Sequence, residues 1–459
     1  MIRIDTSLTP ASLRKDVERL FEVSGEKIAL LHRSWRPRQG APVITVAGRY
    51  TSREWTQWTQ GFQFGSAILQ HMATGSRADL AIGQDGTLRY MAGHVSDFGV
   101  HDHGFNVVST YGNLFNLARA GRMRGGEGEL GLYELALRVS GAVQAARWTE
   151  LPGDLGFIYS FNGPHSLFAD TVRSLRSLAL AHRLGHELAG EDGRRVSLLG
   201  RLLRHAETTA RFSVYLGRGR DAYDIRGRVA HESLFNTNNG SYRCPGTQQG
   251  YSPFTTWTRG LAWILCGYAE QLEFLDTLPA REFGGAAAKG RTLGRFLEVA
   301  RATADFYIGH TPTDGVPYWD TGAPGLARMG GYLDRPADPF NDHEPVDSSA
   351  AAIAAQGLVR LGHYLSGRGN GEGGPRYLAA GLTVARTIFR EPYLSVGPRH
   401  QGLILHSVYH RPNGWDRIPR GRKVPCGESS MWGDYHAREL ALLLMRMTRR
   451  GSYYTFFGG

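Results

Sequence analysis

Residues 247–263 read TQQGYSPFTTWTRGLAW and pass from turn chemistry into a helix. Gly250, Ser252 and Pro253 interrupt regular structure, and Thr255 or Thr256 is the expected N-cap, since a hydroxyl there can accept a free N–H of the first turn. Inside the predicted helix Arg259 and Trp263 are spaced i, i+4 and share a face, with Gly260 and Gly267 beside them. A guanidinium next to an indole suits a sugar ring that carries a carboxylate. The arginine can hold the carboxylate through two parallel hydrogen bonds, and the indole can stack on the ring's C–H face. Taken alone, the same residues fit a core tryptophan with an arginine reaching the surface equally well.

The passage from turn to helix recurs along the chain. Apolar periodicity predicts helices near residues 11–31, 61–73, 104–120, 127–147, 167–188, 194–212, 257–276, 290–308, 346–365, 374–390 and 430–449. Only short segments read as strands, at 44–46, 155–159 and 403–405. About a dozen helices with so little strand predict an all-α fold, with helical hairpins wound into a closed barrel and short strands at its rim. No repeat at fixed period points to an open solenoid, and no Pro/Ser-rich linker divides the chain, so residues 1–459 read as one domain. In such a barrel the functional side chains belong at or just before inner-helix N-termini. The Trp-, His- and Asp-rich segments sit at such places: 55–62, 101–105, 170, 249–263, 318–320 and 432–434.

Composition narrows the function. The hydrophobic share of 41% is that of an ordinary globular protein, and no run of about twenty apolar residues could span a membrane. The N-terminus lacks the apolar core of a secretory signal, and three widely spaced cysteines make neither a disulfide framework nor a zinc pattern; a cytoplasmic protein is expected. The net charge of +11 favours acidic partners. The arginines are scattered, as a GC-rich genome would also give, with no nucleic-acid module or basic tail, so nucleic acid is not expected, and an anionic sugar fits the charge equally well.

Two aspartates carry the chemistry. Asp170 opens the segment ADTVRSLRSLALAHRLG on a face shared with Ser174, Ser177 and Ala181, the small polar face of a cavity-lining helix. By itself it fits better an aspartate complementing the helix dipole. Asp102 stands between His101 and His103 just before a helix starting at Gly104. If one cavity holds both aspartates, one anion raises the pKa of the other and makes a carboxylic acid able to donate a proton near neutral pH. The HDH triplet invites a metal, but two imidazoles without HExxH or a cysteine partner do not make a site, and no Walker, GxSxG or dinucleotide motif is present. These residues do not lead to a metal, and no motif points to an organic cofactor. Trp55, Trp58, Phe62, Trp257, Tyr318, Trp319 and Trp432 all fall in polar or turn-rich stretches, a collective sign of a carbohydrate cleft.

These blocks together resemble the unsaturated glucuronyl hydrolases, glycoside hydrolase family 88. The likeness runs through WTQGFQFG (58–65), HDHGF (101–105), the helix at Asp170, HAETT (205–209) and GTQQGYSPFTTWTRGLAW (246–263). It continues in DGVPYWD (314–320), DSSAAAIAAQGL (347–358) and MWGDYHARELALLL (431–444). The resemblance implies an (α/α)6 barrel. It also implies release of a C4=C5 unsaturated uronic acid from the non-reducing end of a lyase-made oligosaccharide, by hydration of the vinyl ether. Asp170 matches the general acid/base, whose role needs a raised pKa, and Asp102 the second essential aspartate that helps set it. His101 and His205 match supporting histidines; Gln249, Trp257, Arg259, Trp263 and Trp58 match substrate-contacting positions. Three residues depart from the family pattern: Gln248 where histidine is usual, Leu261 where glutamine is usual, and His103 where an aliphatic residue is usual. They leave the aspartates intact and bear on substrate preference, as does the insertion-like stretch 322–344. The neighbouring unsaturated rhamnogalacturonyl hydrolases, an ordinary glycosidase or lyase on the same barrel, and a catalytically silent sugar-binding protein are the competing readings.

Overall fold

The computed structural model describes residues 1–53, 57–123, 126–368, 372–448 and 453–458. Trp55 and the last residue of the helix expected to end at 449 lie outside them. Twelve long helical segments alternate between an outer and an inner ring. The outer ring holds α1 (Arg14–Ser34), α3 (Arg77–Tyr90), α5 (Glu127–Ala146), α7 (Leu198–Phe212), α9 (Ala286–Gly309) and α11 (Gly374–Ile388). The inner ring holds α2 (Gln60–Thr74), α4 (His103–Val107, a π-helical turn Val108–Gly112, and Asn113–Arg119) and α6 (Thr171–Ser174 and Arg176–Arg183). It is completed by α8 (Thr258–Thr277), α10 (Ser348–Ser366) and α12 (Met431–Met447). Each inner helix packs on the next, and α12 returns to α2, which closes the (α/α)6 barrel.

Burial explains which helices go inside. The outer α7 hides one stripe, Leu198, Leu199, Leu202, Ala206 and Ala210, whereas α10 is buried almost throughout, as only a helix covered on every side can be. Its run of Ser348 to Ala352 and Gly357 lets it sit close to its neighbours. A Cβ on Gly357 would meet the Cys266 backbone of α8 at 2.9 Å.

Short strands stay at the rim, as expected. β1 (Ile44–Val46) pairs with β2 (Arg49–Thr51), β3 (Trp148–Leu151) with β4 (Leu155–Ile158), and β6 (Leu188–Ala189) with β7 (Arg195–Val196), all antiparallel. β5 (Ser166–Phe168), β8 (Glu232–Phe235) and β9 (Tyr242–Gly246) form an antiparallel sheet in the order β5-β8-β9. Residues 167 and 168 fall inside the helix predicted from periodicity at 167–188 but belong to β5. Their pairing with β8, some seventy residues away, overrides the local pattern. Residues 403–405 make only a single bridge, Leu394 to Ile404. The N-cap of α8 is Trp257 rather than Thr255 or Thr256, because the Thr256 hydroxyl is turned to Val229 O at 3.2 Å.

Helix α3 escapes the apolar pattern because Gly83 and Gly86 interrupt it. Both are contact points: a Cβ at Gly86 would stand 2.1 Å from Phe64 Cδ1, and one at Gly83 2.5 Å from Ile68 Cγ1. The two glycines seat α3 on α2. Gly86→Ala is therefore expected to destabilise the protein by about 1–3 kcal/mol through overpacking. Helix propensity alone would give a gain of roughly 1 kcal/mol. Urea denaturation decides the sign.

Beneath the pocket end of the barrel the inner helices share a buried ion cluster. Arg173 of α6 donates Nε to Glu270 Oε2 at 3.0 Å and Nη2 to Glu439 Oε2 at 2.7 Å, and all three side chains are solvent-inaccessible or nearly so. Arg176 lies 3.6 Å from both glutamates, and Arg360 of α10 is bonded to Glu273 at 2.8 Å. Arg173→Met strands two buried carboxylates and is expected to cost about 3–5 kcal/mol. A midpoint in denaturant unchanged from wild type would contradict this.

Candidate active site

All six inner helices begin at one end of the barrel, and the residues at their starts meet there. Asp102, Asp170 and Trp257 are the N-caps of α4, α6 and α8; Trp58 precedes α2; Asp347 and Ser430 cap α10 and α12. Trp58, Asp102, Asp170 and Trp257 of this set line a cavity of about 590 Å3. His101, Asp102, Phe105, Phe168, Asp170, Trp257, Arg259, Trp263 and Tyr409 form its buried floor, and Gln57, Phe161, Gln248, Asn413 and Trp415 its more exposed mouth.

The two aspartates meet across one imidazole. His101 Nε2 is 3.2 Å from Asp170 Oδ2 and 3.6 Å from Asp102 Oδ1. Burial works against the imidazolium, but the Asp102 and Asp170 anions outweigh it, so the pKa of His101 rises. The carboxylates divide differently from the expectation. Burial, opposed by His101 and reinforced by the Asp170 anion, lifts Asp102 to about 6. Asp170 is also pushed up by burial, but the His101 hydrogen bond and charge, with His231, bring it below the usual carboxylate value. The raised pKa thus falls on Asp102 and on His101 rather than on Asp170.

The gly-rich approach of α4 to α6 makes this meeting possible. A Cβ on Gly104 would lie 2.2 Å from Ser174 O, and Ser174 Oγ both accepts Gly104 N at 2.8 Å and donates to His101 O at 2.8 Å. Arg147 ties the wall together, donating Nε to Tyr159 O at 2.8 Å and its two terminal nitrogens to Phe98 O and Ser160 O at 2.6 Å each.

Two expected contacts need correction. His205 does not line the cavity: it is fully buried on the outer helix α7, where Nδ1 accepts Ile158 N at 3.0 Å. The second imidazole that faces Asp170, beside His101, is His231, with Nε2 4.0 Å from Asp170 Oδ1 and Nδ1 accepting Gln248 N at 3.0 Å. His231 sits just before β8, and only the pairing of Glu232 with Gly246 carries it to the Gln248 loop. No spacing along the chain signals that pairing. Burial holds His231 at about 4 and His205 at about 3, so both stay neutral.

Arg259 is present in the cavity, but its fork is taken. Nη1 donates to Asp347 Oδ2 at 2.9 Å and to Val408 O; Nη2 donates to Gln249 Oε1 and to Tyr409 O, both at 2.8 Å. The guanidinium also lies between Trp257 and Trp432, 4.6 and 4.9 Å from their ring centroids. Two parallel bonds from Arg259 to a ligand carboxylate are therefore not available in this arrangement. By fixing the Gln249 oxygen, Arg259 leaves that residue's NH2 to donate instead. Trp58 stacks on Trp432 at 5.1 Å, and Trp263 packs on Phe105 at 4.8 Å.

Of the three departures, only Gln248 reaches the cavity. Leu261 is core, and His103 points away, to Ser140 Oγ at 2.9 Å and Asp97 O at 2.7 Å. Among the described residues, His101, Asp102 and Asp170 are the set that could hold a metal, each offering an atom within 4.8 Å of the others. The neighbouring imidazoles cannot complete it. His205 and His231 spend Nδ1 on backbone N–H groups, so Nε2 keeps its hydrogen.

The comparisons agree with this architecture. No protein-family model matches the chain. Unsaturated glucuronyl hydrolase from Bacillus sp. (strain GL1) is 26% identical over 409 residues, 87% of this chain and 89% of that protein. The enzyme of the same name from Formosa agariphila is 24% identical, over 88% and 83%. The crystal structure of the Bacillus sp. GL1 protein superposes with a TM-score of 0.70 at 21% identity, covering 96% of this chain and 99% of that one. An unsaturated glucuronyl hydrolase described as specific for heparin gives 0.70 at 19%, covering 96% and 100%. The chain is a relative of the unsaturated glucuronyl hydrolases. The structural likeness fixes the fold, and the sequence likeness runs across both aspartates.

The His101 pKa supplies a test. Asp102 raises it, so Asp102→Asn should lower it, moving the alkaline limb of any activity to lower pH. NMR titration of the His101 ring reads the same shift even if turnover is lost; a pKa that stays put or rises would contradict the electrostatic account.

Proposed function

We propose that this protein is a glycoside hydrolase that removes a C4=C5 unsaturated uronic acid from the non-reducing end of oligosaccharides by hydrating the vinyl ether. The reading is carried by one observation: Asp170, 3.2 Å from the His101 imidazole whose pKa is raised, lines an aromatic cavity of about 590 Å3, wide enough for a sugar or two.

The residues divide the work. Entry of the uronate anion adds negative charge beside Asp102 and Asp170 and raises their affinity for protons. The proton on His101 Nε2 passes along the 3.2 Å contact to Asp170 Oδ2 and from there to C4. Positive charge develops at C5 and the ring oxygen, and water adds to C5 as the Asp170 carboxylate takes its proton. The acid is regenerated, the hemiketal opens, and the next sugar leaves as an alcohol. Asp102 keeps the imidazole charged between turnovers. The Gln249 NH2 and the converging helix N-termini hold the carboxylate. Trp257, Trp263 and Trp58 supply the apolar walls. Among the described residues no helix is long and apolar enough to cross a membrane, and the three cysteines are unpaired, which supports a cytoplasmic setting.

Ultraviolet absorbance tests the reaction directly, because hydration consumes the enoate chromophore. Wild type should bleach unsaturated disaccharides, and Asp170→Asn should be slower by about 10^3-fold. A saturated glycoside cleaved at comparable rate, or an Asp170→Asn enzyme as fast as wild type, would sink the proposal.

A further inference from the structure

We infer that the second sugar of the substrate, the one that leaves, carries no sulfate or other charged group. This rests on the hydration reading and concerns the mouth of the same cavity. Exposure separates mouth from floor: His101, Asp102, Asp170, Trp257 and Arg259 are buried, so the terminal uronic residue reacts below, and the residue attached to it lies against Gln57, Phe161, Gln248, Asn413 and Trp415.

Those mouth side chains are amides and aromatic rings. Among the described residues lining the cavity Arg259 is the single Lys or Arg. It lies at the floor, with both terminal nitrogens bonded to Asp347, Gln249 and two carbonyls. Residues 54–56, next along the chain from Gln57, are Glu, Trp and Thr and add no cation. Arg53 is engaged with Trp415, donating to its carbonyl at 3.2 Å and lying 4.8 Å from its ring centroid. The positive helix ends act over about the first turn and serve the floor. A sulfate on the second sugar would therefore lose water against amides and rings, in the field of the uronate and of Asp170, with no counter-charge among the described lining residues of the mouth and the nearby Arg53 held on the Trp415 carbonyl and ring. A neutral ring instead meets what the mouth offers: apolar contact with the exposed part of Phe161, and hydrogen-bonding partners for hydroxyls from Gln57, Gln248 and Asn413. The net charge of +11 does not alter this, because the excess arginine lies elsewhere than in the lining.

The experiment measures kcat/KM by loss of the enoate band on three unsaturated uronyl-N-acetylgalactosamine disaccharides: unsulfated, 4-sulfated and 6-sulfated. Wild type should favour the unsulfated sugar by about tenfold or more over both sulfated ones. Asn413→Arg, which sets a guanidinium at the mouth, should narrow that ratio by raising the rate on a sulfated sugar. Equal or better turnover of a sulfated disaccharide by wild type overturns the inference. So does a preference that Asn413→Arg leaves unchanged, since charge would then not be its cause. Failure of all three sugars to lose the band instead overturns the hydration reading on which the inference stands.

Discussion

Arg173 is the side chain on which the barrel and its site both depend. It stands three residues after Asp170 and reaches into the ring of inner helices, where Glu270 of α8 and Glu439 of α12 receive it. Charges taken from water in this way are tolerated only when each finds its partners, so the helices carrying them must close to one mutual arrangement. Arg176 and Arg360 extend the cluster, and the Arg360 guanidinium also donates to Tyr454 O at 3.1 Å, tying in the C-terminal segment. Three inner helices are thereby fixed relative to α6, and with α6 the carboxylate of Asp170. An apolar core of the same volume could be as stable, but it would not fix the rotation of α6 to the same degree.

That fixation matters for the proposed reading, in which the pocket would take an anion without offering it a bare arginine. The starts of α4, α6 and α8 reach the floor, and the one guanidinium among the cavity's described lining residues is neutralised by Asp347, which itself caps α10 through Ser349 N and Ala350 N. The positive potential is therefore spread over backbone dipoles and relayed through Gln249. A free arginine would bind the carboxylate more tightly in substrate and product alike, which lowers KM without raising kcat.

What could be read along the chain follows the range of the interactions involved. Eleven helices are visible from local periodicity, and both aspartates stand where the chain enters a helix, a local event. Gly83 and Gly86 hide α3 because their meaning lies in Phe64 and Ile68, on another helix. His231 stays hidden for the same kind of reason: it becomes a neighbour of Asp170 only through strand pairing with residues after it. Arg259 is legible as a pocket residue, but its partners Asp347, Val408 and Tyr409 lie 88 to 150 residues away, and they change what it can do. Arg173, in a segment read for its small polar face, gives no local sign of being buried.

The treatment of the histidines gives the site its logic. Three imidazoles gather near Asp170, yet only His101 is placed to carry charge. His205 and His231 have Nδ1 filled by backbone N–H groups and are held neutral by burial, so each is a fixed dipole with its N–H on Nε2. Had all three been free to ionise, the resting site would have held several protons, and Asp170 would have been a poor acceptor for the proton of attacking water. Had none ionised, no proton would be at hand when the vinyl ether arrives. In the proposed reaction, one proton shared by His101, Asp102 and Asp170, in a wall of fixed dipoles, would let the same carboxyl act as acid and then as base within one turnover. The anion that triggers the transfer would then be the substrate itself, so that the acid is armed only when the pocket is filled.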